Sequence, residues 1–339
     1  MLMTETKSAI VAAFEHYLRH GIAGLDRHDR ELMRSRYVAD PRMSSALSSL
    51  GIRGAQSVGS EPGGGYMVPD EAMQPIIEAL KAFGGMRAVS TIVPTISGAD
   101  LPIPTDNDTA VEGEIITENN DHSEADLTFG QVGMQSFLYS SKVVKVSRQL
   151  LQDFEGDLLA YIGRKLGQRI GRIQNTHFTT GDGSSKPRGI VIAAAAGKTA
   201  AGATAVTYDE IVDLMHSVDP AYQATSRWMM NFTTLGVVQK LRDLNGDHLW
   251  GSLAGGAPGT ILGRPVEVNN DIPDPASGSR SILYGDFSNY HIRDAGNMIL
   301  LRLEERYAEK LQVGFLAFLR SDGDLVDAGT NPVKCLEHP

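Results

Sequence analysis

The sequence predicts a mixed α+β protein organised around one long helix and one long β-hairpin. Apolar residues recur at helical spacing over residues 157–177, which indicates a helix with one buried face. Residues 97–146 instead read as polar and extended. Helices and strands follow one another without the regular βαβ alternation of a doubly wound sheet, so an α+β arrangement is expected.

Composition limits the classes of function. The chain has 339 residues, 42% of them hydrophobic, which is enough for two domains or one elaborated domain. Its formal net charge of −10 argues against a sequence-specific DNA-binding protein. One cysteine, Cys335, excludes an internal disulfide and fits a reducing cytoplasm. No apolar run approaches the roughly 20 residues that span a bilayer, and no secretory signal is recognised, so no membrane partner is expected.

The N-terminal region divides into a helix and a polar segment. Ile10, Phe14 and Leu18 are four residues apart and predict a helix over residues 4–20. The following stretch, to about Gly65, is rich in Arg, Ser and Gly. Two interpretations stay open for it: a flexible tail, or an arm that becomes ordered only along a partner.

The next segment predicts a helix over residues 70–83, a short strand ending at Pro94 and then an acidic hairpin. Between Arg87 and Lys142 there is no Lys or Arg, while residues 97–126 carry nine carboxylates. Residues 127–146 contain no proline and, if extended, would span about 60 Å at ~3.3 Å per residue. A compact body has no room for such a strand, so we expect a β-arm that projects from the body.

The long helix is predicted for residues 157–177. Its expected buried stripe is Leu159, Ile162, Leu166, Ile170 and Ile173, and its polar side carries Arg164, Lys165, Arg169 and Arg172. Residues 139–146 read as the end of a strand that leads to it. Ser147 or Asp157 is a candidate N-cap, and the glycines of residues 181–183 are expected to end the helix.

A second unit is predicted after residue 204. The capping box of Thr207 and Glu210 opens a helix, residues 228–231 form a buried strand, and residues 234–244 form another helix. Strands near 263–269 and 282–285 follow, and residues 299–305 and 312–320 are expected to complete the same sheet. Residues 321–327 are interpreted as a hairpin turn in which Gly323 adopts positive φ.

No catalytic, cofactor or metal site is predicted, and the chain is not expected to be an enzyme. The histidines show no metal-ligand spacing, and His177 is interpreted as a packing or helix-end residue rather than a ligand. Residues 180–186 resemble a phosphate loop, but they follow a helix instead of preceding one. The acidic run could bind divalent cations or face a partner, and the second interpretation is favoured.

Six motifs occur in order along the chain. They are GGGYMVP at 63–69, VSRQLLQD at 146–153, HFTTGDGSSKPRGIV at 177–191, WMMNFTTL at 228–235, LYGDFSNYHI at 283–292 and YAEKLQVGFLAFLRSDGDLVD at 307–327. With these motifs the sequence resembles the major capsid proteins of tailed double-stranded DNA phages, which have the Hong Kong 97-type shell fold. Encapsulin nanocompartments, whose fold is similar but which package proteins, are the alternative.

The resemblance implies a domain organisation. Residues 1–62 would be an N-terminal arm laid across neighbours, and residues 96–138 the extended hairpin called the E-loop. Residues 63–95 and 139–204, with contributions near 321–339, would form the peripheral (P) domain around the long spine helix. Residues 205–320 would form the axial (A) domain. The chain has no room for a scaffolding segment before the arm, so either it is a mature form or scaffolding is a separate protein.

The resemblance also implies a function. The chain would self-assemble as pentamers and hexamers into an icosahedral phage head enclosing double-stranded DNA, without sequence-specific binding. It would be assembled in the host bacterial cytoplasm and reside in the virion. Its partners would be further copies of itself, portal and scaffolding proteins and a decoration protein, with no cofactor.

Two further expectations concern contacts between subunits. In the family the E-loop lies over a neighbour's P domain, so acidic loop residues could meet the basic face of the spine helix. The candidate interface residues are Glu112, Glu114, Glu118, Asp121, Arg164, Lys165, Arg169 and Arg172. The alternative is that the loop is acidic only for solubility. Because residues 97–141 contain no lysine, the isopeptide cross-link of the family's namesake is not expected.

Overall fold

The computed structural model describes residues 2–34, 37–39, 64–69, 73–82, 85–106, 129–153, 158–242 and 259–339. The described helices are α1 Leu2–His20, α2 Arg27–Arg34, α3 Gln74–Ala82, α4 Gly85–Val89, α5 Arg148–Asp153, α6 Leu158–Thr180, α7 Ile190–Ala193, α8 Tyr208–Ser217, α9 Pro220–Gln223 and α10 Phe232–Gln239. None of these helices is long and apolar enough to cross a membrane.

The described strands form two larger sheets and a two-stranded ribbon. The first sheet contains β1 Tyr37–Ala39, β2 Gly64–Met67, β3 Thr91–Thr95, β6 Phe137–Ser140, β7 Val144–Ser147, β13 Tyr290–Leu303 and β14 Gln312–Leu325. The second contains β8 Ala195–Thr199, β9 Arg227–Met230, β10 Thr260–Ile261, β11 Arg264–Val268, β12 Arg280–Gly285 and β15 Val333–Glu337. The ribbon consists of β4 Leu101–Asp106 and β5 Phe129–Met134.

Two strands of 14 residues each, β13 and β14, run antiparallel through the centre of the first sheet. Strand β3 lies parallel to the first part of β13, and β2 pairs with its later part. Strands β6 and β7 pair with successive parts of β14. The long central pair is therefore the frame on which the shorter strands assemble.

The position of β13 and β14 corrects the prediction that residues 299–305 and 312–320 complete the sheet of the second unit. Phe315, Ala317 and Leu319 enter the core beneath the spine helix, whereas Leu316 and Phe318 are buried on the opposite side. A strand that is apolar on both faces has no alternation that assigns it to a sheet. Residues 195–199 and 333–337 likewise join the second sheet, so the sheets divide the chain differently from the predicted domain bounds, and the division into domains stays a prediction.

Helix α6 is the predicted spine helix, with 23 residues from Leu158 to Thr180. Its buried face comprises Leu158, Ile162, Leu166, Ile170, Gln174 and Phe178. Ile173 was predicted to be buried but is 40% exposed, because the buried positions repeat every four residues and so pass through Gln174 instead. The candidate cap Ser147 is the last residue of β7 and lies before α5, where its Oγ accepts the Leu150 N–H at 3.2 Å. The other candidate, Asp157, lies outside the described residues.

Three glycines of the spine helix, Gly163, Gly167 and Gly171, face helix α3. A β-carbon on Gly171 would lie 3.2 Å from the Cα and carbonyl oxygen of Leu80. A β-carbon on Gly167 would lie 3.1 Å from the Ile76 carbonyl oxygen. The glycines therefore allow the two helix backbones to approach closely.

The N-terminal helices pack on the protein's own core. Helix α1 confirms the predicted helix over residues 4–20, and its Phe14 and Leu18 are fully buried with the apolar face of the spine helix. Helix α2 buries Met33 in the same core. Arg302 of β13 donates from Nε to the Leu18 carbonyl at 2.9 Å and from Nη2 to the Arg19 carbonyl at 3.0 Å, which caps the end of α1.

This packing corrects the expectation of a flexible or partner-ordered segment for residues 27–34, because they form a helix that buries Met33 in the protein's own core. The role of residues 1–62 as an arm laid across neighbours stays a prediction. An amphipathic pattern shows that a helix has an apolar face. It does not show whether that face is buried in the core of the same chain or against a neighbouring one. Of the predicted arm, residues 37–39 form β1, which pairs with β2, and residues 1, 35, 36 and 40–62 lie outside the described residues.

Two local predictions also change. Strand β14 runs without a turn to Leu325, and Gly323 does not adopt positive φ. A β-carbon on Gly323 would approach the Tyr290 hydroxyl and the Phe178 ring to within 2.9 Å, so the glycine makes room for aromatic rings. The predicted strand over residues 139–146 is interrupted between β6 and β7, where Lys142 has a φ of 56°.

The second sheet confirms most of the elements predicted for the second unit. Thr207 and Glu210 form the predicted capping box at the start of α8. Strand β9 lies at the centre of this sheet, where Trp228 and Met230 are fully buried. The second predicted helix is shorter than expected, Phe232–Gln239. Residues 243–258, which include the predicted loop 245–258, lie outside the described residues.

Candidate assembly site

The ribbon of β4 and β5 projects from the body. Its strands pair antiparallel from Leu101 opposite Met134 to Asp106 opposite Phe129. None of the side chains described for residues 101–105 and 130–133 is buried, whereas Met134, at the root, is fully buried. These strands are the legs of the predicted E-loop, and its tip, residues 107–128, lies outside the described residues.

The root of the ribbon is held by Arg293, a residue of β13 that is only 2% exposed. Its guanidinium donates to the carbonyls of Ser97 (2.9 Å), Ala99 (2.6 Å), Met134 (2.9 Å) and Gln135 (3.2 Å), and to Thr95 Oγ1 (3.1 Å). The first two carbonyls belong to the segment entering the ribbon, and the next two to the segment leaving it. One side chain therefore joins both legs to the central strand.

Asp322 of β14 lies opposite Arg293 in the sheet and holds the same root. Its Oδ2 accepts the Gln135 N–H at 2.6 Å, and its Oδ1 accepts the Gly323 N–H at 2.8 Å. Burial raises the pKa of Asp322 to about 6, although these hydrogen bonds and Arg293 oppose the rise. The carboxyl group therefore changes charge near neutral pH.

A second buried arginine connects the root to the spine helix. Arg87 of α4 makes a bidentate pair with Asp294 at 2.8 and 2.7 Å and donates from Nε to Gln174 Oε1 at 3.1 Å. Its guanidinium also lies over the Phe178 ring, 5.8 Å from the centroid. Because Asp294 follows Arg293 directly in β13, the spine helix and the ribbon root are coupled through adjacent residues of one strand.

His177 lies at the end of the spine helix and fits the predicted packing role. Its Nδ1 is 3.1 Å from the Tyr139 hydroxyl, and burial lowers the pKa of His177, with a further decrease from Lys186.

Within the described part of the chain, no group of three or more His, Cys, Asp or Glu side chains could hold a metal ion.

The predicted basic face of the spine helix is exposed. Arg164, Lys165, Arg169 and Arg172 all lie at the surface, and Arg169 donates to the Val143 carbonyl at 3.2 Å. Their proposed partners Glu112, Glu114, Glu118 and Asp121 lie outside the described residues, so their pairing stays a prediction.

The sequence matches the phage capsid family over residues 64–337. The chain belongs to this family. Among solved structures, the capsid of an empty GTA particle is 25% identical, covering 76% of this chain and 90% of that chain with a TM-score of 0.63. The capsid of a native GTA particle is 24% identical, covering 87% and 98% with a TM-score of 0.65. The structure named for Microbacterium phage Oxtober96 is 15% identical, covering 86% and 98% with a TM-score of 0.59.

These similarities confirm the predicted Hong Kong 97-type α+β fold, and they identify a capsid shell protein with a structural role in the virion. No curated protein matches the sequence of this capsid protein.

Sequence reasoning missed the arginines that organise the capsid protein's ribbon root. Arg293 and Asp294 are buried or half-buried charged residues within strand β13, and Asp322 is a buried charged residue within β14. A charge inside an apolar strand is costly to bury unless it is paired, so these positions carried a usable signal. Their partners could not be predicted, since Arg87 and Asp294 are 207 residues apart in the chain.

Proposed function

We propose that this chain is a major capsid protein that assembles as pentamers and hexamers into an icosahedral head enclosing double-stranded phage DNA. The observation that carries the proposal is the exposure of the ribbon. None of the side chains described for residues 101–105 and 130–133 is buried. A two-stranded hairpin alone is marginally stable in water, so such a ribbon gains stability by lying on a neighbour. Closed symmetric assemblies satisfy this requirement for every copy.

The remaining partners follow from the proposed role. Portal and scaffolding proteins, and a decoration protein, would complete a head assembled in the host bacterial cytoplasm. The DNA would be packaged without sequence-specific binding, which is compatible with a net charge of −10 on each chain. Repulsion between the shell wall and DNA would be screened over about 10 Å at 0.1 M salt.

For the contact between subunits, the favoured arrangement places the acidic ribbon tip of one subunit on the spine helix of the next. Four exposed basic residues in three turns of α6 present a cationic surface. The tip contributes Glu112, Glu114, Glu118 and Asp121, and residues 97–126 contain no Lys or Arg to compensate them. The guanidinium group of arginine can form two parallel hydrogen bonds to a carboxylate. The stabilisation from several such pairs at each interface would add up.

Electron microscopy of the purified chain tests the proposal. We expect closed shells with fivefold vertices, and DNA-filled heads among particles purified from producing cells after nuclease treatment. A stable monomer under native assembly conditions, with its ribbon resistant to protease, would contradict shell assembly. Shells filled with protein instead of DNA would favour the encapsulin-like alternative.

A further inference from the structure

We propose that Arg293 is a positioning residue for assembly: its guanidinium sets the direction in which the ribbon of β4 and β5 leaves the body. The inference rests on the proposed function, because the direction of the ribbon matters only if the ribbon must reach a neighbouring subunit. The proposal assigns Arg293 a role beyond stabilising its own sheet.

The backbone of Arg293 is held on both sides. It pairs with Val93 of β3 and with Asp322 of β14, so the residue sits between two strands of the seven-stranded sheet. Its side chain therefore extends from the most constrained part of the body. A group that orients a projecting element needs such a rigid base.

The guanidinium donates two hydrogen bonds to each leg. Nη2 donates to the carbonyls of Ser97 and Ala99 before β4, and Nη1 donates to those of Met134, the last residue of β5, and Gln135. Because the guanidinium is planar and its donors have fixed directions, these bonds define the orientation of both legs relative to β13. Lysine, a single rotatable ammonium, could not reproduce this geometry.

These hydrogen bonds lie at the root of the ribbon, where a small change in angle causes the largest displacement of its far end. The first ribbon pair is Leu101 opposite Met134, whose carbonyl Arg293 binds, and the sixth pair is Asp106 opposite Phe129. Six residues extend about 20 Å at ~3.3 Å each, so a tilt of about 10° at the root displaces the sixth pair by about 3 Å. Such a displacement exceeds the tolerance of most specific contacts between polar side chains.

Other contacts at the root support Arg293 without replacing it. Ser136 Oγ donates to the Gly98 carbonyl at 2.9 Å, and this bond joins one leg to the other. Asp322 accepts the Gln135 N–H, which attaches only the returning leg to β14. Arg293, in contrast, donates to both legs from a single residue of β13.

The test compares Arg293→Gln with a matched control, Arg280→Gln. Arg280 also donates to backbone carbonyls, those of Val191, Ile192 and Ala194, but it lies in the second sheet away from the ribbon. Amide hydrogen exchange is measured on soluble subunits below the assembly concentration, comparing residues 101–105 and 130–133 with β14. Shell yield is measured in parallel by sedimentation.

We expect Arg293→Gln to raise exchange in the ribbon at least tenfold relative to β14 and to lower shell yield at least tenfold. Arg280→Gln should leave the ratio of ribbon to β14 exchange, and the yield of shells from folded subunits, as in the wild type. Equal exchange ratios in the two variants, or a wild-type yield of shells from Arg293→Gln, would overturn the proposal. Should Arg293→Gln fail to fold, Arg293→Lys, which keeps the charge without the fork, is judged by the same two readouts.

The exchange experiment does not depend on shells. If the wild type fails to assemble, the proposed function fails while the exchange comparison still reports on the grip at the root. If the wild type assembles and the Arg293 variants behave like Arg280→Gln, only the positioning role is lost.

Discussion

At the scale of single residues, Asp322 shows how burial of one carboxyl group makes the stability of the fold depend on pH. It is 6% exposed, and its pKa is raised to about 6 mainly by loss of hydration. In the unfolded chain an aspartate titrates near a pKa of about 3.9. The folded state therefore binds a proton more readily between these two values. The stabilisation from this group is complete below pH ~3.9 and is lost as the pH rises through about 6.

We predict that Asp322→Asn removes this pH dependence. A shift of about two pKa units corresponds to a free energy of order 3 kcal/mol, so the unfolding free energy of the wild type should fall relative to that of the variant by up to about this amount between pH 4 and 7. Denaturant unfolding at each pH measures the difference. Asp153→Asn, at an exposed aspartate, controls for loss of a surface charge. Parallel pH profiles for the wild type and Asp322→Asn would contradict the expectation.

At the scale of secondary-structure elements, the contact between α3 and the spine helix depends on absent side chains. Gly163, Gly167 and Gly171 repeat every four residues and so lie on one face of α6. Glycine costs about 1 kcal/mol relative to alanine inside a helix. Close packing of the α3 backbone against this face offsets that cost, because a larger residue would separate the two helices.

Gly171→Leu should therefore destabilise the subunit by about 1–3 kcal/mol, since its side chain would meet the Leu80 backbone. The matched change Gly236→Leu, in α10, should be neutral or stabilising by up to about 1 kcal/mol, because nothing lies within 4 Å of a β-carbon there. Thermal unfolding of the two variants compares them directly. A similar loss of stability at both positions would show that helix packing is not the cause.

The N-terminal helices make a separate prediction at this scale. Phe14 is fully buried in the subunit's own core, so Phe14→Ala should lower the stability of the unassembled subunit by about 3–5 kcal/mol. Phe232→Ala removes the same ring from a position that is 68% exposed and should cost much less. If α1 packed only on neighbouring subunits, Phe14→Ala would leave the unassembled subunit as stable as the wild type.

At the scale of the whole molecule, charge is distributed unevenly between the ribbon and the spine helix. Nine carboxylates lie in residues 97–126, and four basic side chains are exposed on α6. One exposed ion pair contributes only about 0–1 kcal/mol and is screened by salt. Many such pairs around a ring of subunits could nevertheless decide whether a shell closes.

Reversing Arg169 and Arg172 to Glu should block assembly while leaving the subunit folded, because the acidic tip of a neighbour would then be repelled. Reversing Glu114 and Glu118 to Lys in the same chain should partly restore assembly, and high salt should loosen wild-type shells. Light scattering at low and high salt measures assembly, and circular dichroism verifies the fold of each variant. Normal assembly of the Arg169 and Arg172 double variant at low salt would exclude the pairing.

The absence of lysine from residues 97–141 predicts how the shell responds to denaturant. Without an amine nucleophile in the hairpin, no isopeptide bond can form from it to a neighbouring subunit. Shells boiled in detergent should therefore run as one monomeric band on a denaturing gel. A ladder of covalent pentamers and hexamers would refute this prediction.

Features that depend on local periodicity and caps could be predicted from the sequence. The spine helix was predicted over residues 157–177 and is observed at Leu158–Thr180, and the Thr207–Glu210 capping box was located correctly. The projecting hairpin followed from its extended pattern and unbroken negative charge. The order of six motifs gave the capsid fold.

The sharing of a sheet by particular strands, and of a site by particular charges, could be read only from the folded chain. Strands β13 and β14 are apolar on both faces, so their pattern fits either sheet. Helix α1 has an apolar face that fits the core of its own subunit or of another. Arg293 reaches carbonyls between 158 and 196 residues away along the chain. Periodicity records which side of an element is buried, whereas the partner that buries it is set by packing between segments distant in sequence.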